Sequence, residues 1–449
     1  MLMRDSGGKA LLELIRSWPH ATACRVAFSG GIDSTVLLHL LVRVQSELPG
    51  PISAIHVNHG LHDRSHSWDR HCQTVCQAWG VEYASYRVDA RPVRGHSPEE
   101  WARTLRYGLL ERLLAPGELL LTAHHQDDQV ETLVLQLCRG AGPAGLAGMQ
   151  AWRPFGAGGH GRPLLAWRRG EIEAYAAGHQ LQWLEDPSNA DGRPDRNFVR
   201  LELLPLLRTR WPGAGATFSR AAELQAEANA VLGEIAAQDL AACRGDAPNR
   251  LRLAGLAAIS WPRQANVLRH WLASLSLPAP ARSHVGEMRQ QLFASRPDAS
   301  PRVAWPGAEV RRFANELWAG APLPPRDTRD RVSWCLREPC NLAHGRLSAR
   351  PVAGRGLRQS ALTGDNIEVR FRRGGEAILP VADRHHRRLK KLLHQARIPP
   401  WLRGRLPLLF LGDRLVAAAD LWLEATMAAS DSEPGWEITW HDNADCAGD

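Results

Sequence analysis

Between residues 23 and 138, apolar runs of strand length alternate with helical patterns. Arg25 to Phe28, Ile52 to Val57, Val81 to Val88 and Leu119 to Ala123 are each followed by a segment of helical composition. This alternation predicts an α/β fold in which a doubly wound parallel sheet has helices packed on it. Such sheets bind ligands beyond the carboxyl ends of their strands. Ser29 to Ser34, His56 to His59 and His124 to Asp128 all emerge there, so three polar clusters are expected along one edge.

The first of these clusters is Ser29-Gly30-Gly31-Ile32-Asp33-Ser34-Thr35, set between an apolar strand and the apolar run Val36 to Leu41. Paired glycines let backbone N–H groups approach an anion. Ser29, Ser34 and Thr35 add hydroxyl donors, and the following helix points its positive end at the same place. A polyphosphate is the expected ligand. The spacing differs from the P-loop of kinases and GTPases, and no lysine stands beside the serine and threonine. A metal ion would have to supply that charge, with Asp33 placed to hold magnesium or order the phosphates.

At 449 residues the chain is long enough for two to four domains. No apolar run approaches the ~20 residues that span a bilayer, and the N-terminus lacks a secretory pattern, so a cytoplasmic protein is expected. The eight cysteines include no Cys-x-x-Cys pair, which argues against a zinc ribbon or a disulfide framework; they read as buried thiols. The formal charge is +8. Of the 55 basic residues only Lys9, Lys390 and Lys391 are lysines, and a surface this rich in arginine suits phosphates and stacked bases.

The texture changes after residue 215. Thr217 to Ala242 reads as one long helix, and 255 to 295 as helical with an interruption at Leu277 to Pro280. The stretch from 326 to 364 is irregular or strand-like. Ile367 to Phe371 alternates as a half-buried strand, Gly374-Gly375 marks a turn, and His385 to Arg397 reads as a helix with Leu389, Leu392, Leu393 and Ala396 on its apolar stripe. The expected division is a catalytic domain over 1–215, a helical domain over 216–325 and a basic α+β domain over 365–441.

In His124-His125-Gln126-Asp127-Asp128-Gln129-Val130-Glu131, Asp128 and Glu131 share a helix face. They could hold magnesium against a polyphosphate, or simply favour the helix dipole. Ser97-Pro98-Glu99-Glu100 is a capping box whose helix would bury Ala102, Leu105, Leu109 and Leu113. Glu100, Arg103 and Tyr107 would then face the other way, with Arg106 at the border. Asn197 and Arg200, within one helical turn, suit anion or base contacts. Gly140-Ala-Gly142-Pro-Ala-Gly145 matches GxGxxG but follows a helix, so it reads as a helix-ending loop.

The glycine loop resembles the signature of the N-type ATP pyrophosphatases, the PP-loop superfamily. SGGIDS, HVNHGL, EEWARTLRY, HHQDDQVET, RPLL, EDPSN and RNFVR, in this order, resemble the tRNA(Ile)-lysidine synthetase family, as do the C-terminal RRGGE, LKKLL and PPWLRGRLPLL. The resemblance implies a ligase that adenylates the wobble cytidine of a CAU-anticodon tRNA(Ile) and joins free L-lysine to it, with ATP as substrate and magnesium as cofactor. By motif, Ser29, Gly30, Gly31, Ile32, Asp33, Ser34 and His56 would bind ATP. Asp33, Asp128, Glu131 and Arg200 would be catalytic, with magnesium on Asp33 and Asp128. Glu100, Arg103, Arg106 and Asn197 would line the lysine and cytidine pocket, and Arg372, Arg373, Lys390 and Lys391 would meet tRNA phosphates. Three rivals share the fold: a PP-loop tRNA thiolase, a catalytically inactive tRNA-binding homologue and a small-molecule ATP pyrophosphatase such as an amidating synthetase; the missing Cys-x-x-Cys pair speaks against the first, and the third leaves the basic C-terminal face unexplained.

Overall fold

The structure is a computed structural model. It describes residues 3–19, 21–58, 65–89, 98–187, 191–293, 299–324, 331–343, 345–362 and 367–442. The chain forms two compact units, residues 1–232 and 233–449.

In the first unit, α1 (Met3–Ser17), β1 (Ala23–Ala27), α2 (Ile32–Arg43), β2 (Ile52–Asn58), α3 (Ser65–Ala78), β3 (Glu82–Arg87), α4 (Pro98–Leu113), β4 (Glu118–Leu121) and α5 (Gln126–Cys138) follow in turn. The four strands lie parallel in the order β3-β2-β1-β4, as the alternation predicts. After the short α6 (Pro143–Leu146), an unpredicted hairpin of β5 (Trp152–Phe155) and β6 (Gly158–Gly161) extends the sheet, β6 running parallel to β4. Then come α7 (Arg169–Gly178), α8 (Asp195–Phe198), a π-turn over Val199–Leu203 and α9 (Leu204–Arg210). The widened turn lies where Pro205 has no N–H to give the carbonyl of Leu201.

Covered on both faces, the central strands are apolar almost throughout. Leu119, Leu120 and Leu121 are all buried; Leu119 and Leu121 join the core that α2 fills with Val36, Leu37, Leu38, Leu40 and Leu41, and Leu120 joins a second cluster with Leu110 and Phe155. The phase expected for α4 is corrected: Leu110 in the helix and Leu114 just after it are buried, while Ala102, Leu105, Leu109 and Leu113 are only half-buried. The cysteine reading also needs amendment, because Cys138, at the end of α5, is exposed.

The thirty-residue α10 (Ala214–Cys243) carries the chain into the second unit. There β7 (Arg250–Arg252), α11 (Leu253–Ala257), α12 (Trp261–Ser274), α13 (Arg282–Glu287), β8 (Arg302–Trp305), β9 (Ala308–Phe313) and β10 (Glu316–Gly320) share a core centred on Trp271. This segment is therefore not helical alone, since its last three strands join β7 in an antiparallel sheet.

Two further antiparallel sheets follow. The first comprises β11 (Arg331–Trp334), β15 (Ile367–Phe371), β18 (Pro407–Leu411), β19 (Arg414–Ala418) and β20 (Trp422–Leu423). The second comprises β12 (Cys340–Leu342), β13 (Gly345–Ala353), β14 (Leu357–Arg358) and β21 (Pro434–Asp442). The two sheets share one core, and between β15 and β18 in the chain come the two-stranded pair β16 (Ala377–Ile378) and β17 (Arg387–Arg388), and α14 (Leu389–Gln395), which pack with Leu408, Leu415 and Ala418 of the first sheet. The C-terminal helix is thus shorter than His385 to Arg397, and Ala396 is exposed; Leu389, Leu392 and Leu393 do form its buried stripe.

The link between β1 and α2 turns on Gly30, whose φ is +79°. A Cβ there would lie 2.9 Å from both Cys72 Sγ and Leu184 Cδ1. Gly30→Ala is expected to destabilise the first unit by ~1–3 kcal/mol through strain and overpacking. The effect should appear as a lower urea midpoint; an unchanged midpoint would show that the loop adapts without strain.

Candidate active site

The Ser29 to Ser34 loop is braced from within. The Ser34 hydroxyl donates to the Gly31 carbonyl at 3.0 Å and lies 3.1 Å from Ser29 Oγ, and the Thr35 hydroxyl donates to Gly31 O at 3.0 Å. Leu184 N–H ties the loop from outside by donating to Gly30 O at 2.8 Å. An α-helix leaves the N–H groups of its first turn without intrahelical partners, so the start of α2 can receive an anion at this loop.

Beyond β4, the start of α5 is capped reciprocally. Asp127 N–H donates to His125 Nδ1 at 3.2 Å, and His125 N–H donates to Asp128 Oδ2 at 3.0 Å. With Nδ1 accepting, the His125 ring proton sits on Nε2, which lies 3.5 Å from Asp128 Oδ2 and 3.8 Å from Asp33 Oδ1. Two carboxylates, from the first turns of α2 and α5, thus converge on one imidazole. Burial raises the pKa of Asp33, against the pull of His125 and Arg169. Burial also works against the Asp128 charge, yet His125, His124, Arg196 and the His125 N–H overcome it and hold that carboxyl down at about 2.

Arginines neutralise these acids. Arg169 Nη1 donates to both Asp33 oxygens, at 2.8 and 3.0 Å, while its Nε holds Glu173. Glu131 is fully enclosed and accepts from Arg196 Nε and Arg200 Nε, each at 2.7 Å. Arg200 also reaches Asp128 Oδ1 at 3.2 Å, and Arg208 pairs with Asp127. Arg196 Nη2 is buried 3.5 Å from Asp128 and makes no hydrogen bond among the described residues. Asp128 and Glu131 therefore do share a face, but both meet guanidinium groups. No cluster of three metal-ligating side chains occurs among the described residues.

Of the remaining residues singled out by motif, His56 is buried, its Nδ1–H donating to Phe28 O at 2.9 Å beside the loop. Arg103 and Arg106 lie over the Tyr107 ring, 4.9 and 5.4 Å from its centroid. Glu100 belongs to α4, but its side chain is outside the described residues, as are Ser97, Ser188 and Asn189. Asn197 Nδ2 donates to Asp191 O at 2.7 Å and so pins its own loop. In the second unit, Arg372 is mostly covered and faces Glu376 at 3.5 Å, whereas Arg373, Lys390 and Lys391 are exposed. Glu376 Oε1 also accepts the N–H groups of Arg373 and Gly374, closing the turn. The sequence motifs did not single out Arg169 or Arg208, which reach their acids across 136 and 81 residues of chain.

Family models match three parts of the chain: a PP-loop domain over residues 6–207, a TilS substrate binding domain over 236–318 and a TilS substrate C-terminal domain over 367–440. Curated relatives match nearly end to end. The tRNA(Ile)-lysidine synthase of Yersinia pseudotuberculosis is 41% identical over 434 residues, covering 92% of this chain and 93% of the relative. Those of Methylococcus capsulatus and Escherichia coli O157:H7 are both 40% identical, covering 93% of this chain and 95% and 96% of the relatives.

Removing the Glu131 charge leaves Arg196 and Arg200 with Asp128 alone to offset both of them. Glu131→Gln is expected to cost about 3 kcal/mol, at the low end for buried pairs because Arg200 is partly solvated; denaturant unfolding would measure it, and a neutral result would refute the compensation. Asp128 has a folded pKa below its ordinary value. The stability it contributes is therefore complete above about pH 4 and is lost as pH falls toward 2. Asp128→Asn should flatten the dependence of the urea midpoint on pH across that window.

Proposed function

This chain belongs to the tRNA(Ile)-lysidine synthase family, and we propose that it is the ATP-dependent ligase that adenylates the wobble cytidine of a CAU-anticodon isoleucine tRNA and joins free L-lysine to it. What supports the reading is the meeting, at one sheet edge, of a phosphate-binding glycine loop with the Asp33, His125 and Asp128 triad and the arginines of 196 and 200. In the first step the 2-oxo oxygen of the base bonds to the α-phosphorus of ATP and pyrophosphate leaves. In the second, the lysine ε-amine bonds to C2, the C2–O bond breaks, AMP departs with that oxygen and the amine gives up a proton. A base carbonyl is a poor electrophile until its oxygen is made into a leaving group of this kind.

Ser29 to Ser34 and the start of α2 would take the ATP phosphates, with His56 beside the nucleotide. Asp33 and Asp128 fit a magnesium ion, because two carboxylates converging from the first turns of α2 and α5, completed by phosphate oxygens, are a donor set that this ion accepts. When bound, the ion offsets the charge gathered on the departing pyrophosphate. Arg200 is held ready for charge on the reactants by Glu131, and the unfilled Arg196 Nη2 can meet an acceptor oxygen. Glu100, Arg103, Arg106 and Asn197 are assigned to the lysine and cytidine pocket.

Residues 1–215 form the catalytic part in this reading, and 216–325 contact the tRNA. Residues 365–441 place Arg373, Lys390 and Lys391 on tRNA phosphates, with Arg372 shaping the turn that carries Arg373. The protein would work in the cytoplasm; no helix among the described residues is long and apolar enough to cross a membrane.

Incubation with ATP, magnesium, labelled lysine and CAU-anticodon tRNA should put label into the RNA and release pyrophosphate. Binding of the tRNA without incorporation would defeat the ligase reading and favour an inactive homologue. Asp33→Ala should abolish pyrophosphate release while leaving tRNA binding largely intact. The double change K390A and K391A should lower the slope of log affinity against log salt by roughly one to two units.

A further inference from the structure

A line of buried polar groups ends at His124. Arg162, His160 and Thr122 come from the end of β6 and the end of β4, and each is buried. A guanidinium can only donate. Arg162 Nη2 donates to His160 Nδ1 at 3.1 Å, which leaves the proton of a neutral His160 on Nε2. That atom lies 2.8 Å from Thr122 Oγ1. A hydroxyl that accepts there still has its own hydrogen to give, and its other partner is His124 Nδ1, also at 2.8 Å. His124 therefore accepts at Nδ1 and carries its ring proton on Nε2.

Burial keeps both imidazoles uncharged. It pushes His160 down to about 2, aided by Arg162, and His124 to about 3 despite the opposing pull of Asp128. The His160 ring is held between Phe155 and Tyr107, at centroid distances of 5.5 and 5.7 Å, so it has little freedom to flip. Arg162 is itself anchored by donating to Gln150 O at 2.6 Å. At the other end, His124 Nε2 donates to nothing among the described residues, while Asp128, Arg103 and Arg196 supply the charge around the ring.

We propose that Arg162, His160 and Thr122 are positioning residues that set His124 as a one-way hydrogen-bond donor, its Nε2–H presented to an acceptor oxygen of the bound reactants. The inference rests on the ligase reading for the identity of those reactants. A donor fixed in advance needs no reorganisation when charge develops on the oxygen it faces. The opposite tautomer would present a lone pair to that oxygen. The same arrangement excludes His124 as the acceptor of the proton that the lysine amine loses.

The test uses the full chain with ¹⁵N-labelled histidine, His124 being assigned by comparison with His124→Gln. In the free protein His124 should show the pattern of a neutral ring protonated at Nε2; a ring protonated at Nδ1 overturns the proposal, whether or not any variant folds. A non-hydrolysable ATP analogue alone should move the Nε2–H signal if the oxygen belongs to a phosphate. CAU-anticodon tRNA alone should move it if the oxygen belongs to the base. A signal unmoved by both, at concentrations where both bind, overturns it too.

Thr122→Val should mix the tautomers and lower kcat for lysidine formation about 10- to 100-fold, with KM for ATP and lysine little changed. Thr122→Ser should restore both tautomer and rate. A Thr122→Val enzyme with wild-type kcat and an altered tautomer would refute the proposal. Because the tautomer is read without substrate, failure of the ligase reading is seen separately, as a wild-type protein that makes no lysidine.

Discussion

Charge compensation around the start of α5 is the constraint on which the site is built. Asp127, Asp128 and Glu131 are buried there and must meet a cation or lose their charge, and the half-buried Asp33 comes close to them from α2. The cations arrive from elements far along the chain: Arg169 from α7, Arg196 from α8, Arg200 from the π-turn and Arg208 from α9. The ion pairs join the segment from 195 to 210 to the sheet edge, so the pocket is assembled by electrostatics as much as by apolar packing.

This wiring explains which parts of the molecule could be read in advance. The parallel sheet was legible because strands covered on both faces are apolar along their length, as in Leu119 to Leu121, and because Gly30 and Gly31 punctuate the first turn. The β5–β6 hairpin was not, since Pro154 and three glycines hide its strand character. Gly159 and Gly161 are required there because the indoles of Trp152 and Trp18 press on them, which is a tertiary fact. The phase of α4 went wrong for a similar reason: its burial is set by contact with Phe155 and Leu120, not by its own pattern.

The acids of the site were visible as a motif, whereas half of their partners were not. Asp128 and Glu131 stand three apart in a run that also caps its own helix, a local signal. Arg169 and Arg208 carry no such signal, because a guanidinium that closes a contact over many residues looks like any other surface arginine in one dimension. Asn197 shows the converse case: a residue conspicuous in its motif is engaged in shaping its loop.

The near-absence of lysine from the first unit has a chemical corollary. An adenylated nucleobase is an electrophile that any neighbouring primary amine could intercept, giving a protein–RNA adduct in place of product. The cations around His124, Asp33 and Glu131, namely Arg103, Arg162, Arg169, Arg196 and Arg200, are guanidinium groups that stay protonated and do not act as nucleophiles. The one lysine in that unit, Lys9, belongs to α1. In the proposed reaction, where the co-substrate is a free amine, the enzyme is thereby spared from trapping its own intermediate.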